Sequence, residues 1–111
     1  MKLSLIAPVL VLAAFALAAQ EAMPRMISVD PISAKVGDVV TVTGENLDKD
    51  NVVKVYLTDQ KTDLECAITS QTATELKVKV PAKATGRLAL MILTGGKEQK
   101  LIEQPVKLTV E

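Results

Sequence analysis

The chain is expected to fold as an all-β, antiparallel sandwich of about seven strands, preceded by a cleavable export signal. Three observations predict this. Short runs rich in Val, Ile, Thr and Leu recur at roughly eight-to-twelve-residue spacing, with Gly, Pro, Asp and Asn between them. Beyond residue 18 no window carries a helical period. The excess of apolar residues is confined to one N-terminal block, where fifteen of the first eighteen residues are apolar.

That block begins Met1-Lys2, runs apolar from Leu3 to Leu17 with Pro8 inside it, and ends in small residues around Ala16-Leu17-Ala18. A basic start, a short apolar stretch and an A-x-A end are the marks of a secretory signal, and the stretch is too short for a membrane span. Residues 1–18 are therefore expected to be removed and the protein exported, to a periplasm or outside the cell, with no membrane span left. Residues 19–25 read as a flexible lead, and residues 26–111 as one domain, which is as much as 111 residues can hold.

Within the domain, residues 27–30 alternate apolar and polar before Pro31, as a short edge strand does. Residues 36–47, V-G-D-V-V-T-V-T-G-E-N-L, hold the clearest strand, because β-branched side chains are stiff and suit a pleated surface. Val40 and Val42 should point inward and Thr41 and Thr43 outward. Gly44 should mark a bulge or bend, and Leu47 should tuck back under the sheet. In residues 52–58, period two sets Val53, Val55 and Leu57 on one face and Val52, Lys54 and Tyr56 on the other. Residues 64–69 and 75–80 form the next two strands, the latter alternating strictly before Pro81. Residues 87–94 are almost unbroken apolar, as in a central strand covered on both faces or one whose outer face meets a partner. Gly95-Gly96 supplies a hairpin turn, residues 97–104 a polar return, and residues 106–110 the last alternating strand after Pro105.

The chain resembles the IPT/TIG domains, an immunoglobulin-like family shared by plexins and some transcription factors, in what looks like a bacterial-type secreted single-domain form. Residues 27–31 (I-S-V-D-P), residues 36–47, similar to the family's G-x-x-V-T-I-x-G-x-N-F, the strand of residues 74–81 ending in Val80-Pro81, and residues 90–96 carry the resemblance. Leu47 stands where the family has an aromatic. The resemblance implies an immunoglobulin-like sandwich serving as a binding or spacer unit. Its DNA-binding members use basic loops, which this chain lacks.

Composition narrows the function. Loss of Lys2 with the signal leaves twelve basic residues against thirteen acidic, a net charge of −1 and no footprint for nucleic acid. No histidine is present, which removes the commonest general base and metal ligand together. No phosphate loop, nucleophile elbow or cysteine pair appears, so no catalytic residues, cofactor or metal are expected and the protein is read as a non-enzyme. Cys66 is the only cysteine, in phase with Leu64 and Ile68, and reads as a small buried hydrophobe rather than a reactive thiol. Asp48 and Asp50, near Glu45 and Asn51, could gather round calcium, but without the glycine and distal Glu of a calcium loop they read as a solvated turn. Tyr56 is the one aromatic after the signal, so a stacking platform for sugar rings is absent and glycan is the less expected ligand.

The positive signal is an outward stripe. With Leu88, Leu90 and Ile92 facing the core, Ala89, Met91 and Leu93 face out, beside Val52 and Tyr56. Monomers seldom expose such a patch without use. These five residues are the expected protein-protein interface, with another protein or a second copy as partner, unless residues 97–104 fold over them through Leu101 and Ile102. The competing reading is a glycan- or calcium-binding module that uses the loop of residues 45–51.

Overall fold

The computed structural model describes residues 23–111, so the expected signal (1–18) and most of the expected lead lie outside the described residues. Eight strands follow in order: β1 (Arg25–Asp30), β2 (Ser33–Ala34), β3 (Val39–Glu45), β4 (Val52–Thr58), β5 (Asp63–Gln71), β6 (Glu75–Lys79), β7 (Gly86–Thr94) and β8 (Leu101–Val110). β1, β3, β6 and the second half of β5 make one sheet, whereas the first half of β5, then β4, β7, β8 and β2 make the other. β5 belongs to both. Its residues from Asp63 to Cys66 pair with β4 and those from Ala67 to Gln71 with β6, with a register shift between Ile68 and Ser70 where it turns from one sheet to the other. Pairing is antiparallel except for two residue pairs of β2 beside β8.

The inward phase of β3 follows from its β-branched alternation: Val40 and Val42 are fully buried, Thr43 is exposed and Thr41 half-buried. With Val55, Leu57, Leu90 and Ile92 they form the centre of the core, where each such side chain contributes about 1.5–3 kcal/mol. Leu47 lies outside any strand and is also fully buried, which is the plug expected of it. The bend expected at Gly44 has a different cause. β1 carries the register shift, between Met26 and Ser28, and crosses so close to β3 that a Cβ on Gly44 would sit 2.1 Å from the Arg25 carbonyl oxygen.

Three further expectations are revised. The domain starts earlier, since Pro24 is buried and Arg25 already belongs to β1. The connection after β7 spans residues 95–100 and is closed by Thr94 N donating to Lys100 O at 2.9 Å. Its first glycine serves close approach, because a Cβ on Gly95 would meet the Asp50 carbonyl oxygen at 2.0 Å. β8 then begins at Leu101 and runs through Pro105, which is tolerated because the register against β7 shifts there, between Ala89 and Met91.

Two glutamine amides, Gln104 buried and Gln71 half-buried, join the sheets where no ladder does. On one side, Gln104 Oε1 accepts the backbone N–H of Met26 at 2.7 Å and ties β8 to β1. On the other, where β4 and β5 fork apart, Gln71 Nε2 donates to Leu47 O at 2.8 Å and to Val52 O at 2.9 Å. An inward glutamine at a sheet edge satisfies backbone groups that would otherwise be buried unpaired.

Candidate binding face

The outer face of β4, β7 and β8 carries most of the stripe expected from the sequence. β7 is central, so each of its outward residues sits between two cross-strand partners. Lys54, Leu93 and Leu101 form one row, Tyr56, Met91 and Glu103 the next, and Thr58, Ala89 and Lys107 a third. Directly opposed side chains on one face are close enough to touch. The rows therefore make one surface, with Tyr56, Met91, Leu93 and Leu101 as its apolar part.

Of the five predicted residues, four lie on this face and one does not. Val52 is 1% exposed and belongs to the core, because β4 bulges against β7 between Val52 and Lys54 and the extra residue reverses the phase of everything before it. Val53 takes the exposed position instead. Ala89 and Met91 are outward but only 5% and 8% exposed, and they stand apart from the contiguous core. Ala89 does not reach past Thr58 and Lys107. Met91 is flanked by Tyr56 and Glu103, and Gln60 Nε2 donates to Glu103 Oε1 across β7. Tyr56 and Leu93 are half-buried. The return after β7 does not fold over the stripe: it becomes β8, in the plane of the sheet, and adds Leu101 to the face with 53% of its surface exposed. Leu101 was missed because its place depends on a register that no local pattern reveals.

The charges around this face are balanced. Lys54 Nζ lies 3.7 Å from Glu65 Oε1 at the β5 side, and Glu103 and Lys107 stand on β8. Exposed pairs of this kind contribute little to stability but set which partners are tolerated.

The loop of residues 45–51 is engaged with itself and with its neighbours. Asn51 Nδ2 donates to Asp48 Oδ1 at 2.9 Å, and the backbone N–H groups of Asn51 and Val52 donate to Asp48 O. Glu45 pairs with Arg25 at 3.3 Å. Among the described residues, no three His, Cys, Asp or Glu side chains converge as a metal site would require. Asp50 and Asn51 instead line an open cleft of about 320 Å³ with Met23, Pro24, Ile102 and the turn after β7, where Thr94, Glu98 and Lys100 supply polar groups.

Cys66 is 2% exposed in the core. Burial pushes its thiol up to about 12 from an ordinary 9.0, with the neighbouring Glu65 charge adding to the effect. A thiol so placed is a poor nucleophile. Because the folded state holds this proton more tightly, the stabilisation is complete below pH 9 and is lost as pH rises toward 12. The loss should approach about 1.4 kcal/mol per pH unit within that window. Urea midpoints of the wild type and Cys66→Ala at pH 8 and 10.5 isolate it. The wild type should lose more stability than the variant, and equal losses would remove the assignment to Cys66.

The two-sheet packing, with β5 shared between the sheets, defines an immunoglobulin-like sandwich, and the described chain holds no helix long and apolar enough to cross a membrane. Residues 24–110 match the model of the IPT/TIG domain, and the chain belongs to that family. No curated protein matches it. Among solved structures, a Bacteroides thetaiotaomicron protein of unknown function aligns with a TM-score of 0.68 and 22% identity, over 82% of this chain and 22% of that one. An auxiliary nutrient binding protein of Bacteroides ovatus aligns at 0.59 and 18%, over 82% and 21%. The Bacteroides ovatus protein SGBP-B of a mixed-linkage glucan utilization locus, in complex with a mixed-linkage heptasaccharide, aligns at 0.53 and 18%, over 77% and 23%. A Bacteroides thetaiotaomicron protein with the name of a phosphatase is similar at 0.58 and 15%. The chain thus spans about a fifth of each of these proteins, and the likeness is one of fold.

Proposed function

We propose that this IPT/TIG domain is an exported, non-enzymatic binding module whose recognition surface is the outer face of β4, β7 and β8, and that the surface takes another protein or a second copy of the chain. The observation that carries the reading is the continuity of Tyr56, Met91, Leu93 and Leu101 across three hydrogen-bonded strands, with Tyr56, Leu93 and Leu101 left accessible while Gln60 reaches across β7 to Glu103 beside Met91. Apolar continuity framed by charges of both signs is the pattern of an interface rather than of a solvated sheet. A non-enzymatic role is supported by the side-chain inventory, which has no histidine and a single, buried cysteine.

Leu93→Lys and Leu101→Lys test the surface, because these two side chains are accessible and their replacement leaves the core intact, whereas Met91 is too enclosed to probe without unfolding. Affinity capture from the source cells with the wild-type domain should retain a specific protein, and each variant should lose it while keeping the wild-type urea midpoint. Unchanged capture by both variants would place recognition elsewhere.

A second reading is favoured by the cleft beside Asp50 and Asn51, whose amide, carboxylate, hydroxyl and ammonium groups suit a polyhydroxylated ligand, and by the glycan held by one structural neighbour. It lacks an aromatic platform, Tyr56 being on another surface. Calorimetric titration with mixed-linkage glucan oligosaccharides and with calcium should give no heat if the outer face is the functional surface. Saturable heat lost in Asp50→Ala would favour the cleft.

A further inference from the structure

We infer that the outer face of β4, β7 and β8 packs against the same face of a second copy, with a two-fold axis in the interface running along β7. This rests on the proposed binding face and specifies what occupies it. A closed pair of identical chains needs a surface that is complementary to itself under a two-fold rotation, and the three rows decide which rotation is allowed.

With the axis along β7, each row meets the same row of the second copy with β4 and β8 exchanged. Leu93 meets its own counterpart at the centre, while Met91 and Ala89, nearly enclosed, lie beneath their row neighbours and back the contact rather than make it. Tyr56 comes opposite Glu103, so a phenol that can donate meets a carboxylate that can accept. The stem of Lys54 comes over Leu101, with its ammonium toward Glu103 in the adjoining row. Lys107 comes opposite Thr58, beside Asp63, which pairs with Thr58 within the sheet. Each cation of β4 and β8 on these rows thus finds an acceptor on the other copy. Arg87, the next outward residue of β7, meets its own counterpart in this arrangement, but it is exposed and lies beyond the three rows, so the two long side chains can turn apart into solvent.

With the axis across the strands at the level of Met91, the middle row turns over onto itself. Glu103 would then face Glu103 and Tyr56 would face Tyr56, while Leu101 would face Lys107. Two carboxylates opposed in a partly desolvated interface repel. The pattern of charges therefore selects the first axis. The near-balance of twelve basic and thirteen acidic residues once Lys2 is lost with the expected signal leaves little net repulsion between copies.

Sedimentation equilibrium of the purified protein, with folding checked by circular dichroism, tests the arrangement. The wild type should dimerise, and Leu101→Lys should be monomeric at the same concentrations. Lys54→Glu and Glu103→Lys should each weaken the dimer by about tenfold, and the double variant, which restores opposite charges between copies, should regain most of the affinity. A wild type that remains monomeric at about millimolar concentration overturns the inference, as does a dimer in which the double variant is no tighter than the single ones. If the wild type is monomeric and Leu101→Lys still abolishes capture of another protein, the binding face stands and only its occupant changes. If neither association nor capture responds, both fail together.

Discussion

Gly44→Ala is expected to destabilise the domain by about 3 kcal/mol or more, the upper end of what overpacking costs, because the added methyl meets backbone rather than a side chain that can turn away. The Cβ would lie 2.1 Å from the Arg25 carbonyl oxygen and 3.0 Å from the Met26 Cα, so relief requires β1 to move off β3. That movement is not local. β1 carries Met26 and Val29 into the core, and the Met26 N–H is the donor that ties this sheet to Gln104 on β8. Displacing β1 therefore strains the hydrogen-bonded ladder and the seam together. The urea midpoint should fall steeply, and amide exchange of Met26 should accelerate more than that of Leu90 in the second sheet. A cost near zero would mean that β1 can lift away freely and that the close approach is not required by the fold.

How much of this was legible in the sequence depends on whether the information is local. The inward phase of Val40 and Val42, the buried Leu47, the buried Cys66 and the central place of residues 87–94 were all readable, since each follows from alternation or apolar density within a few residues. Val52 was misassigned because a bulge inserts one residue without altering composition, and only the pairing of β4 with β7 reveals it. Leu101 was placed in a return because Pro105 resembles a strand boundary, whereas the shifted register of β8 leaves that position without a ladder bond to lose. Gln71 and Gln104 look like ordinary surface polar residues in one dimension. Their roles exist only where two sheets meet, so no sequence signal short of covariation with Leu47, Val52 and Met26 could have found them. The binding face shows the same division: β7 supplied its stripe locally, but the rows that make it a surface are a property of register.

Leu47→Ala should cost about 2–5 kcal/mol, the range for emptying a buried leucine site that cannot collapse. Leu47 has no exposed surface, and its backbone is fixed on both sides: its N–H donates to Ala73 O at 2.8 Å and its carbonyl accepts from Gln71 Nε2 at 2.8 Å. The same Gln71 amide holds Val52 O, so the loop after β3, the start of β4 and the end of β5 meet at this plug. With the surrounding backbone pinned, little relaxation can fill the cavity, and the cost should fall in the upper half of the range. Gln71→Ala should cost less, about 1–3 kcal/mol, the range for leaving a buried backbone acceptor without its partner, because it removes a half-buried side chain and opens no core cavity. The two losses should not add, because removing either partner loosens the segment that gives the other its geometry. Leu47→Phe offers the opposite probe. The family resemblance puts an aromatic at this position, yet in this chain the core closes fully around leucine, so the larger ring should overpack it and cost about 1–3 kcal/mol. Urea denaturation of the three single variants and the Leu47→Ala/Gln71→Ala double variant measures all of this. A stabilised Leu47→Phe would show that the site keeps room for the aromatic, and additive losses would show that plug and amide act independently.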